Sequence, residues 1–331
     1  MTAPLPQGWR LTANAFNWTP DVVRAERDAA DIAVGIVSSG VAREIELEAG
    51  QTWRGFPAPG DTEVDALRSR MTAAGGSISM VGASIDDWAT PQRRRTDGER
   101  LDFLLPQLRA AHRVGAEGVR LPIGQAGPDL LRQILPHLHE LDLVLYEEAQ
   151  GQQAPDLPPQ RAAFDAIAEM DDPRVRALVD ISMLMPSLPP SYLERLRAGG
   201  VRTRLVDALE QAWRDPETSD AVRAELAAGA VPPGVHTLFM DMIVRFGRSD
   251  AADLREILPL VGAVHLKFWD LDDGDGRVSH PIREIARELA AVGFSGTLCS
   301  EWGGHAWLDD LSPDDATRAH LALARDAIAS R

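Results

Sequence analysis

The stretch Ala263-Val-His-Leu-Lys-Phe-Trp-Asp270 decides how the chain is read. It is a short β-type run in which His265, Lys267 and Trp269 alternate onto one face and Val264, Leu266 and Phe268 onto the other. A half-buried strand ordinarily sets apolar residues against water-facing polar ones, but a strand that ends in a cleft can aim its polar face at a ligand. Lys267 is also the one lysine among 34 basic residues, the rest being arginine.

Outward from this strand, the chain alternates β-type and helical patterns in both directions. On the C-terminal side come helical spacing over 281–292, the apolar run 296–301 and a closing helix over 313–329. On the N-terminal side six further strands are expected, the first with its loop over 9–18 and the others at 42–48, 77–83, 118–123, 143–149 and 175–181, with helices over 20–39, 61–74, 99–114, 128–141 and 160–170 between them. Asp180 and His265 are separated by 84 residues, far more than one helix requires. Segment 189–247 therefore reads as a helical insertion between strands six and seven, broken at Gly199-Gly200, near Pro216 and at Pro232-Pro-Gly234. Eight strands, each followed by helical material, point to a (β/α)8 TIM barrel, class α/β, with 1–331 as a single domain. The alternative, a doubly wound open sheet, lacks a G-x-G-x-x-G or P-loop sequence after any early strand.

The composition narrows the partners. Fifty acidic against 34 basic residues give a formal charge of −16, which repels nucleic acid and anionic membranes. The one basic run, Arg93-Arg-Arg95, reads as a solvated loop or helix start. No run approaches the roughly 20 apolar residues of a membrane span, and 1–6 shows no basic-then-apolar leader, so a cytoplasmic protein is expected. The single cysteine, Cys299, lies in an apolar run and reads as a buried small hydrophobe.

In a barrel, catalytic groups collect at the C-terminal ends of the strands. Four consecutive ends supply metal-type ligands: strand five ends in Glu147-Glu148, strand six in Asp180, strand seven carries His265 and strand eight ends in Glu301. Strand parity puts Glu148 on the face of Tyr146 and Gln150, and Glu147 on the other, so Glu148 is the expected ligand. Three carboxylates and one imidazole suit Mn²⁺, or Mg²⁺ or Co²⁺, with positions left for substrate oxygens.

The ordered Glu148, Asp180, His265 and Glu301, the His-x-Lys-Phe strand and Ser300-Glu-Trp-Gly303 resemble the xylose-isomerase-like barrels of sugar isomerases and epimerases. More narrowly, His265-Leu-Lys-Phe-Trp269 and Leu298-Cys-Ser-Glu-Trp-Gly-Gly304 resemble the larger subunit of bacterial C-glycoside deglycosidases. The broader likeness spans most of the barrel and the narrower one rests mainly on its last third. The long segment after Asp180 departs from the compact sugar epimerases.

The resemblance implies a divalent cation that polarises a sugar carbonyl and acidifies the neighbouring C–H. Proton transfer by Glu148, Glu301 or His305 then gives isomerisation or epimerisation. With a sugar already oxidised at C3, the same enolisation permits β-elimination of an aglycone from C1, the deglycosidase reaction. A sugar isomerase or epimerase is the alternative, and a non-catalytic sugar-binding subunit the second alternative. Lys267 would stabilise the enolate or donate a proton; its structural role would be a salt bridge to Asp270 or a ligand carboxylate. Arg120 and Gln150 would bind sugar hydroxyls, and Trp269 and Trp302, with Trp18 and Trp53, would offer apolar faces to the substrate. The partners implied are a sugar or glycoside substrate, a small second subunit and, compatibly, a second copy of the chain.

Other signals carry less. The acidic loop 270–276 looks calcium-like but lacks the glycine at the sixth place and the glutamate at the twelfth. His137 and His139 fall at a helix end, where the dipole accounts for them. His112, His236 and His320 have no partners at ligand spacing, although His236 stands where the insertion could cap the site, and His280 follows strand seven.

Overall fold

The computed structural model describes residues 4–25, 27–308 and 310–331. Of the N-terminal stretch read for a leader, residues 1–3 lie outside the described residues. Eight parallel strands close into a barrel: β1 (Trp9–Asn14), β2 (Glu44–Glu48), β3 (Ser77–Gly82), β4 (Gly118–Pro122), β5 (Val144–Ala149), β6 (Val175–Asp180), β7 (Val261–Phe268) and β8 (Gly296–Trp302). Each pairs with its sequence neighbour, and β1 closes the ring on β8. The (β/α)8 expectation is thereby met.

Helices α1 (Ala29–Ser38), α2 (Asp61–Ala73), α3 (Asp97–Val114), α4 (Gly127–Glu140) and α5 (Pro158–Met170) follow the first five strands. Between β6 and β7 come α6 (Pro190–Ala198), α7 (Thr203–Gln211), α8 (Pro216–Ala227) and α9 (His236–Val244), and then α10 (Ser279–Ala291) and α11 (Pro313–Ala329). Local chemistry fixes several ends. The Thr96 side chain accepts from Glu99 N while Glu99 accepts from Thr96 N, a capping box that starts α3. The helix expected over 20–39 is instead two: one runs Thr19–Arg24, Ala25 turns left-handed at φ 54°, and the Asp28 carboxylate caps α1 by accepting from Ala30 N. An N-cap aspartate inside an otherwise helical pattern starts a new helix. The run Arg93–Arg95 is neither loop nor helix start throughout: Arg93–Arg94 pairs antiparallel with Trp88–Thr90, and Arg94 stacks on Trp88 at 4.7 Å.

Strand alternation sorts the barrel walls. Ile45, Leu47, Val119, Leu145, Val264 and Leu266 face outward into one core shared with Ile36, Leu67, Leu108, Ile134, Ile167 and Ile285 of the surrounding helices. Each such buried side chain contributes about 1.5–3 kcal/mol. The opposite face points inward, where Met80, Leu178 and Ala263 pack with Tyr146 as an apolar plug. The helices between β6 and β7 build a core of their own from Tyr192, Leu205, Leu209, Phe239, Met242 and Phe246, and close it on Trp269 and Trp307. Trp269 stacks on Trp307 at 5.7 Å and meets the edge of Phe246 at 4.7 Å. That packing anchors the residue directly after β7 beside the barrel mouth.

Candidate active site

Register brings the expected donors together. Asp180 of β6 lies opposite His265 of β7, and Lys267 lies opposite Glu301 of β8. Glu148, Asp180, His265 and Glu301 are all buried, and each offers one ligand atom within 4.8 Å of the other three. His265 Nδ1 stands 2.9 Å from Glu148 Oε1 and 2.5 Å from Glu301 Oε2, yet it has hydrogen-bond geometry to neither. Asp180 Oδ1 accepts from Ser182 N at 2.7 Å, which leaves its buried Oδ2 without a hydrogen-bond partner. Converging, unsatisfied donors inside a protein are costly unless something balances them. Five carboxylates crowd here, Glu46, Glu48 and the three among the donors, against the two permanent cations Arg120 and Lys267. The oxygen-rich set with one imidazole and the excess of negative charge fit a divalent cation, and the cluster can hold a metal ion.

The charges perturb one another. Burial pushes the Glu148 carboxyl up, but Arg120 and His265 more than offset it and bring it down to about 2. Burial lifts Asp180 to about 6 against the pull of Lys267, with Glu301 and Glu148 adding to the rise. Burial also works upward on Glu301, but Lys267 and His265 hold it well below the carboxylate range. For His265 the order reverses: burial lowers it, and Glu301, Glu46 and Glu148 raise it well above its ordinary value.

Glu148 and Glu301 of this cluster line a cavity of about 370 Å³, whose wall includes Lys267, Arg120 and Gln150. Lys267 Nζ lies 3.0 Å from Glu301 Oε1, 4.0 Å from Asp180 Oδ2 and over the rings of Phe16 and Trp269 at 5.3 and 5.5 Å. Its salt bridges are to Glu301 and Asp180; Asp270 instead accepts from Ser191. Arg120 Nη1 donates to Glu148 Oε2 at 2.5 Å, and Nη2 to Glu48. Trp269 lines the cavity as well.

Other expected residues are placed elsewhere. Trp302 is buried with Nε1 donating to Trp269 O at 2.9 Å, and it does not line the cavity. Trp18 is fully buried on Asp314, and Trp53 belongs to the outer core. His305 packs between Phe16 and Trp302, and burial lowers it to about 4 with help from Lys267 and Arg245. His236 is not among the lining residues. Glu147 faces away from the donors, and its Oε2 accepts from Gly124 N at 3.2 Å.

Sequence reasoning did not single out Phe16, Gln153, Ser182, Val244 or Arg245, which complete the cavity wall from the segments that follow β1, β5 and β6, Val244 being the last residue of α9. It also passed over Glu46 and Glu48. Their signal was present in the alternation Glu44-Ile-Glu-Leu-Glu48: in a closed barrel both faces of a strand are covered, so one of them must turn charge inward. Register makes room for the upper pair. Gly82 lies between Glu48 and Arg120, and a Cβ there would stand 2.1 Å from Glu48 Oε2.

No protein-family model matches the chain. The C-glycoside deglycosidase alpha subunit of Arthrobacter globiformis is 29% identical over 88% of this chain and 85% of its own length. The 3'-dehydrocarminate deglycosidase alpha subunit of a Microbacterium species is 26% identical over 90% and 89%. Among solved structures, D-psicose 3-epimerase covers 97% of this chain and 99% of itself at TM-score 0.57 and 11% identity. The IOLI protein with a bound zinc atom covers 97% and 98% at TM-score 0.58 and 11% identity. At such identities the structural likeness shows the barrel. No helix among the described residues is long and apolar enough to cross a membrane. The chain is an enzyme, similar over nearly its whole length to C-glycoside deglycosidase alpha subunits, and its (β/α)8 barrel has the fold of D-psicose 3-epimerase and the IOLI protein.

Proposed function

We propose that the chain is a divalent-metal-dependent enolising enzyme acting on a sugar or oxo-sugar moiety, and specifically the catalytic subunit of a C-glycoside deglycosidase. The observation that carries this reading is the convergence of four donor atoms within 4.8 Å, two of them from the cavity-lining Glu148 and Glu301, in a chain similar along its length to deglycosidase alpha subunits. Glu148, Asp180, His265 and Glu301 hold the cation, with Mn²⁺ the expected ion and Mg²⁺ or Co²⁺ the alternatives. When bound, it supplies Lewis-acid polarisation of the sugar carbonyl, which acidifies the adjacent C–H.

The chain's own groups then divide the work. Glu148 and Glu301 face the cavity and move the proton at C2 of a 3-oxo sugar. As C2–H breaks, its electron pair enters the enolate; the pair returns to form C1=C2 while the bond from C1 to the aglycone breaks. The aglycone leaves with that bonding pair and takes up a proton. Lys267 and Arg120 set positive charge beside the cavity, where an enolate oxygen gains from fixed cations. Gln150 and Gln153 present amides to sugar hydroxyls, and Phe16, Trp269 and Val244 offer an apolar wall to the aglycone. Val244 is 61% exposed, an aliphatic side chain left at the cavity for something to cover. His305, which burial lowers to about 4, is neutral at pH 7 and packs between Phe16 and Trp302 rather than on the cavity wall. Trp302 acts by holding the Trp269 backbone, not by touching substrate.

Both relatives are named as alpha subunits, and we read this chain as working with a small second subunit. The test is release of aglycone from a 3-oxo-C-glycoside, measured for the chain with and without that subunit. Solvent deuterium entering a free sugar during aldose–ketose conversion, without aglycone release, would favour an isomerase or epimerase instead. Neither activity, with sugar affinity unchanged in Glu301→Gln, would leave a binding subunit.

A further inference from the structure

The inward face of β2 carries three glutamates, and each meets a cationic or imidazole partner on a different strand. Glu44 pairs with Arg10 of β1 at 2.6 Å, Glu46 with His265 of β7 at 2.9 Å, and Glu48 with Arg120 of β4. The middle pair is the most enclosed: Glu46 is 1% and His265 0% exposed. Glu46 Oε2 faces His265 Nε2, the ring nitrogen on the far side from the donor cluster. A neutral imidazole has one N–H and one lone pair, so the partner of one nitrogen decides what the other can do.

We propose that Glu46 is a positioning residue for the metal centre: by accepting from His265 Nε2–H it fixes the lone pair on Nδ1 and aims it at the donors. Glu46 does not touch the cation or substrate. It acts through His265, setting the ring orientation and raising the basicity of Nδ1, as carboxylates behind metal-bound histidines do. A competing arrangement exists deeper in the barrel, where Glu46, His265 and Cys299 also offer atoms within 4.8 Å of one another. It has three donors and no face on the cavity, whereas the Nδ1 side has four donors, of which Glu148 and Glu301 line the cavity. The inference rests on the metal reading above, and its test separates the two.

Titrating the metal-free full-length chain with Mn²⁺ by calorimetry compares wild type, Glu46→Gln and Glu44→Gln. Glutamine keeps the shape and an acceptor oxygen but loses the charge that raises ligand basicity. Affinity is expected to fall about 10- to 100-fold in Glu46→Gln, and to stay within about twofold of wild type in Glu44→Gln, whose glutamate meets Arg10 rather than the donors. Equal loss in both variants, or none in Glu46→Gln while wild type binds, overturns the positioning role. Absence of binding in wild type overturns the metal reading itself. A measurement on the unaltered protein covers the case of a variant that does not fold. In the Zn²⁺-loaded chain, long-range proton–nitrogen correlation should show His265 protonated at Nε2; a proton at Nδ1, or metal on Nε2, overturns the proposal.

Discussion

Glu147 and Glu148 are neighbours in sequence that point to opposite faces of β5, so replacing each by glutamine should have opposite consequences. Glu148 is one of four donors and is held by Arg120 at 2.5 Å. Partners behind metal ligands cost about 10- to 100-fold in affinity when lost, so Glu148→Gln, which removes a donor itself, should cost at least about 100-fold. It also breaks a buried ion pair, which costs about 3 kcal/mol in the metal-free chain, the low end of the usual range because Arg120 keeps Glu48. Glu147 meets only backbone N–H groups, and burial lifts it to about 7 from the ordinary 4.5. Its folded pKa is the higher one, so its favourable contribution is present at low pH and is lost as pH rises through about 7. At about 1.4 kcal/mol per pH unit, ionising it in the fold costs about 3 kcal/mol at pH 8.5 and about 1 kcal/mol at pH 5.5. Glu147→Gln should therefore gain about 2 kcal/mol more over wild type at pH 8.5 than at pH 5.5. Urea denaturation of the chelator-treated chain at both pH values measures the gain, and Mn²⁺ calorimetry measures the donor. Weakened metal binding in Glu147→Gln, or unchanged binding in Glu148→Gln, would refute the assignment of faces.

Three more outcomes are expected. His320 is fully buried and burial lowers it to about 3, so the unfolded chain binds more protons and stability falls as pH drops below about 6.5; between pH 7.5 and 5 wild type should lose about 2 kcal/mol more than His320→Gln, and parallel denaturation curves would count against this. In Gly82→Ala the new Cβ stands 2.1 Å from Glu48 Oε2 and 2.9 Å from Arg120 Nη2; KM should rise about tenfold, the worth of one charge-assisted hydrogen bond, with Mn²⁺ affinity nearly unchanged. Lys267→Met should keep the metal and lose about 100-fold in turnover, as when one fixed donor to a developing oxyanion is removed. Full turnover in that variant would leave Lys267 as the structural partner of Glu301 alone.

Much of the barrel was legible because outward positions such as Val264 and Leu266 alternate strictly with inward ones such as His265 and Lys267. Strand ends then gave Glu148, Asp180 and Glu301, since parallel strands in a barrel deliver their last inward residues to one mouth. The rest depended on closure and packing. Glu46 and Glu48 sit on a strand whose charged face would be solvated in an open sheet; only the ring turns it onto His265 and Arg120. Phe16, Val244 and Arg245 reach the cavity from segments beyond the strand ends, Val244 closing α9, and strand periodicity does not record their course. Trp302 looked like a sugar platform from its place beside Glu301, but alternation sends the residue after an inward one outward, and its ring stacks with Phe268. The helix over 20–39 was divided by Asp28, a cap hidden among charged residues.

Metal content tests the central claim most directly. The chain, purified without chelator and analysed by mass spectrometry for elements, should carry close to one equivalent of a divalent cation, and Glu301→Gln should carry little. Less than about half an equivalent in wild type, with no binding when Mn²⁺ is added, would contradict the account, because each role given to Glu148, Asp180, His265 and Glu301 depends on a filled site.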